Sequence, residues 1–370
     1  MLYYIVIKVS IPFIQFGVMI MLDKRINSHE VARIAGVSRS TVSRVINNSN
    51  TVKPDTREKV LQIIKEYSYS PDFSAQMLAG KPSNTIGLFF ASNRCDNRIN
   101  AEDLLVNFML ERIIEIASDH DYFVLSRIIR DFNKESNQYK IREMFAQRRI
   151  DAGIFIGFPN HFSPIEEIIA MGHVVGIMDQ NIPGRNEPNR IIVNFDDMTM
   201  ENAVNYLYRL GHRKILAVLG DNRRYNGIQK EDAFYRAMRR LGLKLRKEWI
   251  LRGNFNRICA KAEVEKFLKQ EHKEMPTAIL CACDDMAYGV MEVLEASGIK
   301  VPEDFSLIGI DDSFMSQHTN PALTTFRVNF EDMLRKLTES VITCIQSPFE
   351  KTRRFTFESE LVVRDSAREI

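Results

Sequence analysis

Histidine is scarce in this chain of 370 residues, with 7 in all, and forms no metal-spaced cluster with cysteine. Cysteine is equally thin. Cys95, Cys259, Cys281, Cys283 and Cys344 are odd in number and follow neither a disulfide framework nor a zinc-site spacing. Cys281 and Cys283 share one face of a predicted strand, where simple burial explains them. A Walker-type phosphate loop and a G-x-S-x-G nucleophile elbow are both missing. So are low-complexity tracts and repeats of 20 to 50 residues, which would signal a solenoid. These absences argue against an enzyme and call for no cofactor or metal. The scattered thiols fit a reducing cytoplasm.

What the chain has is the composition of a globular protein, 45% hydrophobic and 26% charged, at a length that suggests two or three units. Its formal net charge of +2 hides an asymmetry. Residues 22–81 carry 10 Lys+Arg against 6 Asp+Glu, a net +4, whereas residues 82–370 are net −3. The positive excess lies in a small N-terminal unit, where a polyanion would be met.

Residues 1–21 form an apolar extension interrupted by Lys8, Pro12 and Gln15. It has the length of a membrane span but no small-residue cleavage site. Two readings remain: a membrane anchor, or a start of translation at Met19 or Met21. The later start is preferred, because it leaves a short polar lead ahead of the next unit.

From Asn27 the pattern turns helical. Asn27 and Glu30 form a capping-box pair, and Val31, Ile34 and Ala35 give an apolar stripe. Gly36 ends that helix, Val37 turns inward, and Ser38 caps a second helix, RSTVSRVINN. A third helix begins near Asp55, with Val60, Ile63, Ile64 and Tyr67 on one face. Three short helices, the first two joined by a tight glycine turn, predict a helix-turn-helix unit over 22–70. Pro71 stops the third helix, and 71–83 reads as a linker able to form one or two helical turns.

Beyond Thr85 the texture changes. TIGLFFAS, FVLSRII, AGIFIGF, VVGIMD, RIIVNF, KILAVLG, AILCAC and FSLIGIDD are strand-length apolar runs alternating with amphipathic helical stretches. Buried strands alternating with helices predict parallel α/β sheets, with enough units for two of them over 84–370.

A recognition helix enters the major groove N-terminus first, so its first turn faces the base edges. Here that places Arg39 and Ser40 at bases, with Arg44 one turn later. A guanidinium fits guanine O6 and N7 with two prongs, whereas a serine discriminates weakly. Ser38, Thr41, Ser43 and Asn47 offer short donors to phosphates, which position the helix without specifying sequence.

The motifs V-A-x-x-A-G-V-S, T-V-S-R-V-x-N, T-R-x-K-V and Y-x-P…A-Q-x-L-A-G-K run without a gap for some fifty residues. They closely resemble the lactose-repressor (LacI/GalR) family of bacterial regulators. The resemblance continues, more loosely, through PTAILCACDDMAYGVMEVLEASGIKVPEDFSLIGIDDS and NPALTTF. It implies a sequence-specific DNA-binding transcriptional regulator of the repressor type, controlled by a small effector, a sugar or sugar derivative. The implied architecture is a helix-turn-helix headpiece and hinge helix, then a periplasmic-binding-protein-like core of two lobes. Crossovers between the lobes are expected near 181–192, 311–326 and 345–353.

By the same resemblance Leu78 is a wedge for the minor groove, and Ala75 lets two hinge helices approach closely. Asp72 and Phe73 stand where family members commonly carry Asn and a basic or small residue. Asp179 and Asp311 follow strands, where parallel sheets bind ligands, and can accept hydrogen bonds from ligand hydroxyls. Lys230, Phe255 and Cys283 match further effector positions, with Lys in place of the usual Arg and Cys in place of Asn. A half-site read by one headpiece gives little affinity, so the expected partners are a homodimer and a near-palindromic double-stranded operator. A solute receptor would share the α/β core but not the DNA-reading unit placed ahead of it.

Overall fold

A computed structural model describes residues 5–6, 19–20, 26–70, 80–91, 104–196 and 198–370. Its contacts divide the chain into two compact units, residues 1–81 and 82–370. In the leading segment, Ile5–Val6 and Met19–Ile20 pair antiparallel. Among the described residues, no helix is long and apolar enough to cross a membrane.

The first unit contains three helices: α1 (Ser28–Ala35), α2 (Arg39–Ile46) and α3 (Pro54–Glu66). The predicted capping box is present, with Asn27 accepting from the backbone of Glu30 and Glu30 accepting from the backbone of Asn27. Gly36 closes α1 at φ 67°, a left-handed conformation that costs a residue without Cβ little. α3 starts on a proline, whose missing N–H would have been unpaired there anyway. Val31, Ala32, Ala35, Val42, Val45, Val60 and Ile63 meet in one small core.

The second unit opens with a six-stranded parallel sheet. Its strands are β1 (Thr85–Ala91), β2 (Phe123–Ile129), β3 (Ala152–Ile156), β4 (Val174–Met178), β5 (Arg190–Phe195) and β11 (Arg353–Phe357), in the order β11-β5-β4-β3-β1-β2. Connecting helices are α4 (Leu104–Asp119), α5 (Glu135–Ala146) and α6 (Ser163–Ala170). Along β1 the side chains alternate: Ile86, Leu88 and Phe90 join one core, and Phe89 stacks on Phe155 in the core of the other face. Burial on both faces is why the central strands β1, β3, β4 and β5 read as continuous apolar runs, whereas β2, at the sheet edge, is largely exposed.

After α7 (Thr199–Arg209) a four-stranded parallel sheet follows: β6 (Ile215–Leu219), β7 (Ile250–Arg252), β8 (Ala278–Cys281) and β9 (Ser306–Ile308), in the order β9-β8-β6-β7. Its helices are α8 (Tyr225–Arg240), α9 (Arg257–Leu268) and α10 (Asp284–Ala296). β10 (Thr325–Val328) pairs antiparallel with β12 (Ser359–Val362) at the margin of this lobe. α11 (Phe330–Gln346) packs back on the first lobe.

Three expectations need correction. The crossovers fall later than predicted, after β5, between β10 and α11, and at Glu358. β5 stays in the first sheet because Arg190, fully buried at its start, bonds to Glu166, Glu187 and Gln180 of that lobe. α11 stays there because Gly176 of β4 admits it: a Cβ at that position would meet Val341 at 2.6 Å. The run TFESELVVR, which reads in the sequence as one final strand, is instead the end of β11 and the whole of β12, which pair in different sheets. Finally, Cys259 is disulfide-bonded, whereas Cys281, Cys283 and Cys344 are free thiols. A sequence spacing is blind to that pairing, which depends on chain segments brought together by folding.

Candidate functional site

The recognition helix is amphipathic by construction. Val42 and Val45 are buried, and Ser38, Arg39, Ser40, Ser43, Arg44 and Asn47 are exposed, with Thr41 half-buried. Ser38 caps the helix: its Oγ accepts the Thr41 N–H at 3.2 Å and lies 2.7 Å from Ser40 Oγ and 2.9 Å from Thr41 Oγ1. The three hydroxyls therefore form one cluster at the helix N-terminus, the positive end of its dipole and the end suited to a phosphate.

The side chains of Arg39 and Arg44 make no hydrogen bond or ion pair with any described residue, which leaves both guanidinium groups available outward. Asn47 differs from expectation in its surroundings. It is the C-cap of α2, and its amide bonds to Ser43 at 3.4 Å and to Lys81. One residue of this unit went unnoticed in the sequence. Arg57 of α3 donates to Asn48 Oδ1 at 2.7 Å and to the Ser49 carbonyl, fastening the turn that follows α2. Its place in T-R-x-K-V, one turn into α3, was the available signal. Ala75 and Leu78 lie outside the described residues.

Between the two lobes of the second unit lies a cavity of about 640 Å³. Asp179, Lys230, Phe255, Cys283 and Asp311 all line it, so folding brings together five residues spread over more than 130 positions. Asp179 follows β4 and holds φ 78°, and Asp311 follows β9 at φ 135°. Both are strand-end positions that carry a carboxylate past the sheet edge. Asp179 Oδ2 accepts the Asn226 N–H at 3.0 Å, in the first turn of α8.

Lys230, one turn further along α8, is only 7% exposed. Its Nζ donates to the Ala282 carbonyl at 2.6 Å and stands 5.5 Å from the Phe255 ring and 5.6 Å from the Phe195 ring. Phe255 has φ 56°, and its ring sits where a Cβ on Gly220 would be, 2.0 Å from Cζ. Glycine at 220 is thus required by the close approach of the aromatic side chain. Cys283 is the N-cap of α10, and burial pushes its thiol well above the usual range, leaving a neutral, apolar wall.

Asp311 is nearly enclosed. Burial raises its carboxyl to about 8, against the opposing pull of Lys230. At neutral pH it therefore carries a proton and is able to donate as well as accept a hydrogen bond.

Sequence reasoning missed Arg224, the N-cap of α8, six positions before Lys230. It lines the cavity, donates to the Ala91 carbonyl at 3.3 Å and approaches the Phe255 ring at 5.9 Å. The cavity walls enclose its guanidinium, and desolvation draws it below the usual arginine value even though the side chain keeps some surface toward the open cavity. Two further polar residues are structural. Asn194 exchanges two hydrogen bonds with the backbone of Gln180. His212 is fully buried between Thr277 and Ser306.

Comparison with known proteins agrees with this geometry. The profile of bacterial regulatory proteins of the lacI family matches residues 29–72, and that of the periplasmic binding protein-like domain matches residues 204–367. Catabolite control protein A of Priestia megaterium is 30% identical over 299 residues, spanning 80% of this chain and 86% of that protein. A solved lac repressor dimer bound to operator and the anti-inducer ONPF superposes with a TM-score of 0.77 at 24% identity, covering 93% of this chain and all of that one. A complex of the transcriptional regulator CelR with cellobiose superposes at 0.69, also at 24% identity and the same coverage. These structures share the fold. The headpiece match and the 30%-identical relative go further: this chain belongs to the lacI family of bacterial regulatory proteins.

Proposed function

We propose that the protein is a cytoplasmic transcriptional repressor that grips a near-palindromic operator as a homodimer and is controlled by a small carbohydrate held between its lobes. The observation that carries this reading is the presence, in one chain, of an outward-facing recognition helix and a polar, aromatic-walled cavity between two lobes. Arg39, Ser40 and Arg44 read bases; Ser38, Thr41 and Ser43 hold phosphates, and Asn47 does so if it leaves Ser43 and Lys81. Residues 71–83 serve as the hinge, with Leu78 wedging the minor groove and Ala75 allowing close approach of its counterpart.

Carbohydrate is favoured because the cavity pairs an aromatic ring, Phe255, with groups that donate and accept hydrogen bonds, Asp179, Lys230 and Asp311. The cellobiose-bound relative is consistent with that class. Control requires the effector to bind the DNA-competent and incompetent forms unequally, and DNA then alters effector affinity by the same factor. Gel shift against DNA upstream of neighbouring genes tests the core of the proposal. The expected result is a discrete complex at one palindromic site at physiological salt, and uniform binding to all fragments would overturn it.

A further inference from the structure

Among the described residues, four basic and four acidic side chains line the cavity, yet they are unequally paired. Arg257 and Lys261 of α9 both bond to Glu292, Arg257 through Nε at 2.8 Å and Lys261 through Nζ at 3.2 Å. Asp285 accepts the backbone N–H of Arg257 at 2.9 Å. On the facing wall the pattern changes. Lys230 and Arg224 form no ion pair with any described residue, and the hydrogen-bond acceptor of each is a neutral backbone carbonyl, Ala282 and Ala91. Arg224 Nε is enclosed, with no acceptor among the described residues. The Asp221 and Asp179 carboxylates draw on Arg224 through space, but desolvation outweighs them, and a ligand that brings a carboxylate into direct contact offsets that cost.

We infer that the effector is a sugar acid, whose carboxylate lies against Lys230 and Arg224 at the start of α8. The inference rests on the proposed use of this cavity as the effector site and narrows its ligand from carbohydrate in general to an anionic one. The Phe255 ring, within 6 Å of both cations, supplies the apolar face for the sugar body. Asp311 is protonated near neutrality, so it adds no negative charge to oppose the carboxylate.

The test is calorimetric titration of the full-length protein with matched pairs: D-glucuronate against D-glucose, and D-galacturonate against D-galactose, with glucose 6-phosphate as a further arm. The expected result is at least tenfold tighter binding of an acid than of its neutral parent. Lys230→Met and Arg224→Gln should each weaken the acid several-fold more than its neutral parent, and so cut that ratio. Equal or tighter binding of the neutral sugars, binding by no member of the panel, or an acid preference that survives in both variants overturns the inference. Tight binding of glucose 6-phosphate without either uronate overturns the carboxylate assignment. Operator binding by the ligand-free protein is measured in parallel. Its loss would sink the regulator reading, whereas its presence beside a neutral-sugar preference would sink only the sugar acid.

Discussion

The Asp179 carboxylate, at the end of β4 in the first lobe, accepts a 3.0 Å hydrogen bond from the Asn226 backbone N–H in the first turn of α8 in the second lobe. Nearby, the Asn160 N–H donates to the Arg223 carbonyl at 3.0 Å, and Arg224 reaches Ala91. The loop before α8 is therefore both cavity wall and lobe-to-lobe fastening. A ligand that touches this loop also bears on how the lobes are held, which is the physical requirement for linkage between a binding site and a distant headpiece.

Asp179→Ala should loosen that fastening. Loss of a charge-assisted bond to a helix N-terminus costs about 1.5–3 kcal/mol, so denaturant unfolding should shift by that amount. Small-angle scattering should show a larger radius of gyration. An unchanged profile in both measurements would mean that the bond carries no interlobe load.

Arg39→Ala should relax operator specificity rather than abolish binding. A two-pronged arginine–guanine contact discriminates by about 1–3 kcal/mol, so the loss should fall on one base position in each half-site. Selection of binding sites from a random library, compared between the two proteins, reads this directly.

Ser38→Ala should act differently. It removes the cap of α2 and the centre of the hydroxyl cluster, costing about 1 kcal/mol of helix stability. Operator affinity should fall about equally on every site, with the base preference intact. A changed preference would show that Ser38 itself touches a base.

Gly220→Ala places a methyl 2.0 Å from the Phe255 ring. Overfilling of this kind costs about 1–3 kcal/mol, and the ring must leave its position on the cavity wall. Chemical denaturation should detect the destabilisation, and Gly220→Ala combined with Phe255→Ala should be less destabilised than the two single effects added.

Asp311 gives a pH dependence of definite sign. Its folded carboxyl titrates at about 8, above the ordinary value of 3.8. Between those values the folded protein holds a proton that the unfolded chain has released, so stability falls as pH rises. The contribution is whole below pH 4 and lost through about pH 8. Relative to Asp311→Asn, which stays neutral, the ligand-free parent should lose thermal stability steadily from pH 5 to about 8 and level off above it. A constant difference in Tm across that range would contradict the buried, protonated carboxyl.

Much of this was legible in the chain. The headpiece is encoded locally, by a capping box, a glycine turn and a serine cap, each set by residues within four positions of one another. The central strands were legible as apolar runs, because both of their faces are buried. The strand-end aspartates followed from where parallel sheets expose their ends, and the structure places both on the cavity. Lys230, Phe255 and Cys283, drawn from the family resemblance, lie on it too.

The lobe crossovers were misplaced because a strand run carries no label of the sheet it joins. β5 stays in the first lobe through Arg190 and its partners Glu166 and Gln180, contacts made across ten or more positions. Arg224 was overlooked for a related reason. Beside Arg223 it looks like a surface charge, and only the fold turns one arginine onto Asp221 and the other into the cavity.

The sequence by itself determined that a basic, helix-turn-helix unit precedes an α/β core, because those features depend on short-range periodicity, capping and charge. Tertiary structure alone decided which lobe each late strand serves, which cations remain unpaired, and how Gly220 seats Phe255 against the cavity. Those outcomes depend on packing and desolvation between segments distant along the chain, and burial exists only once the chain has folded.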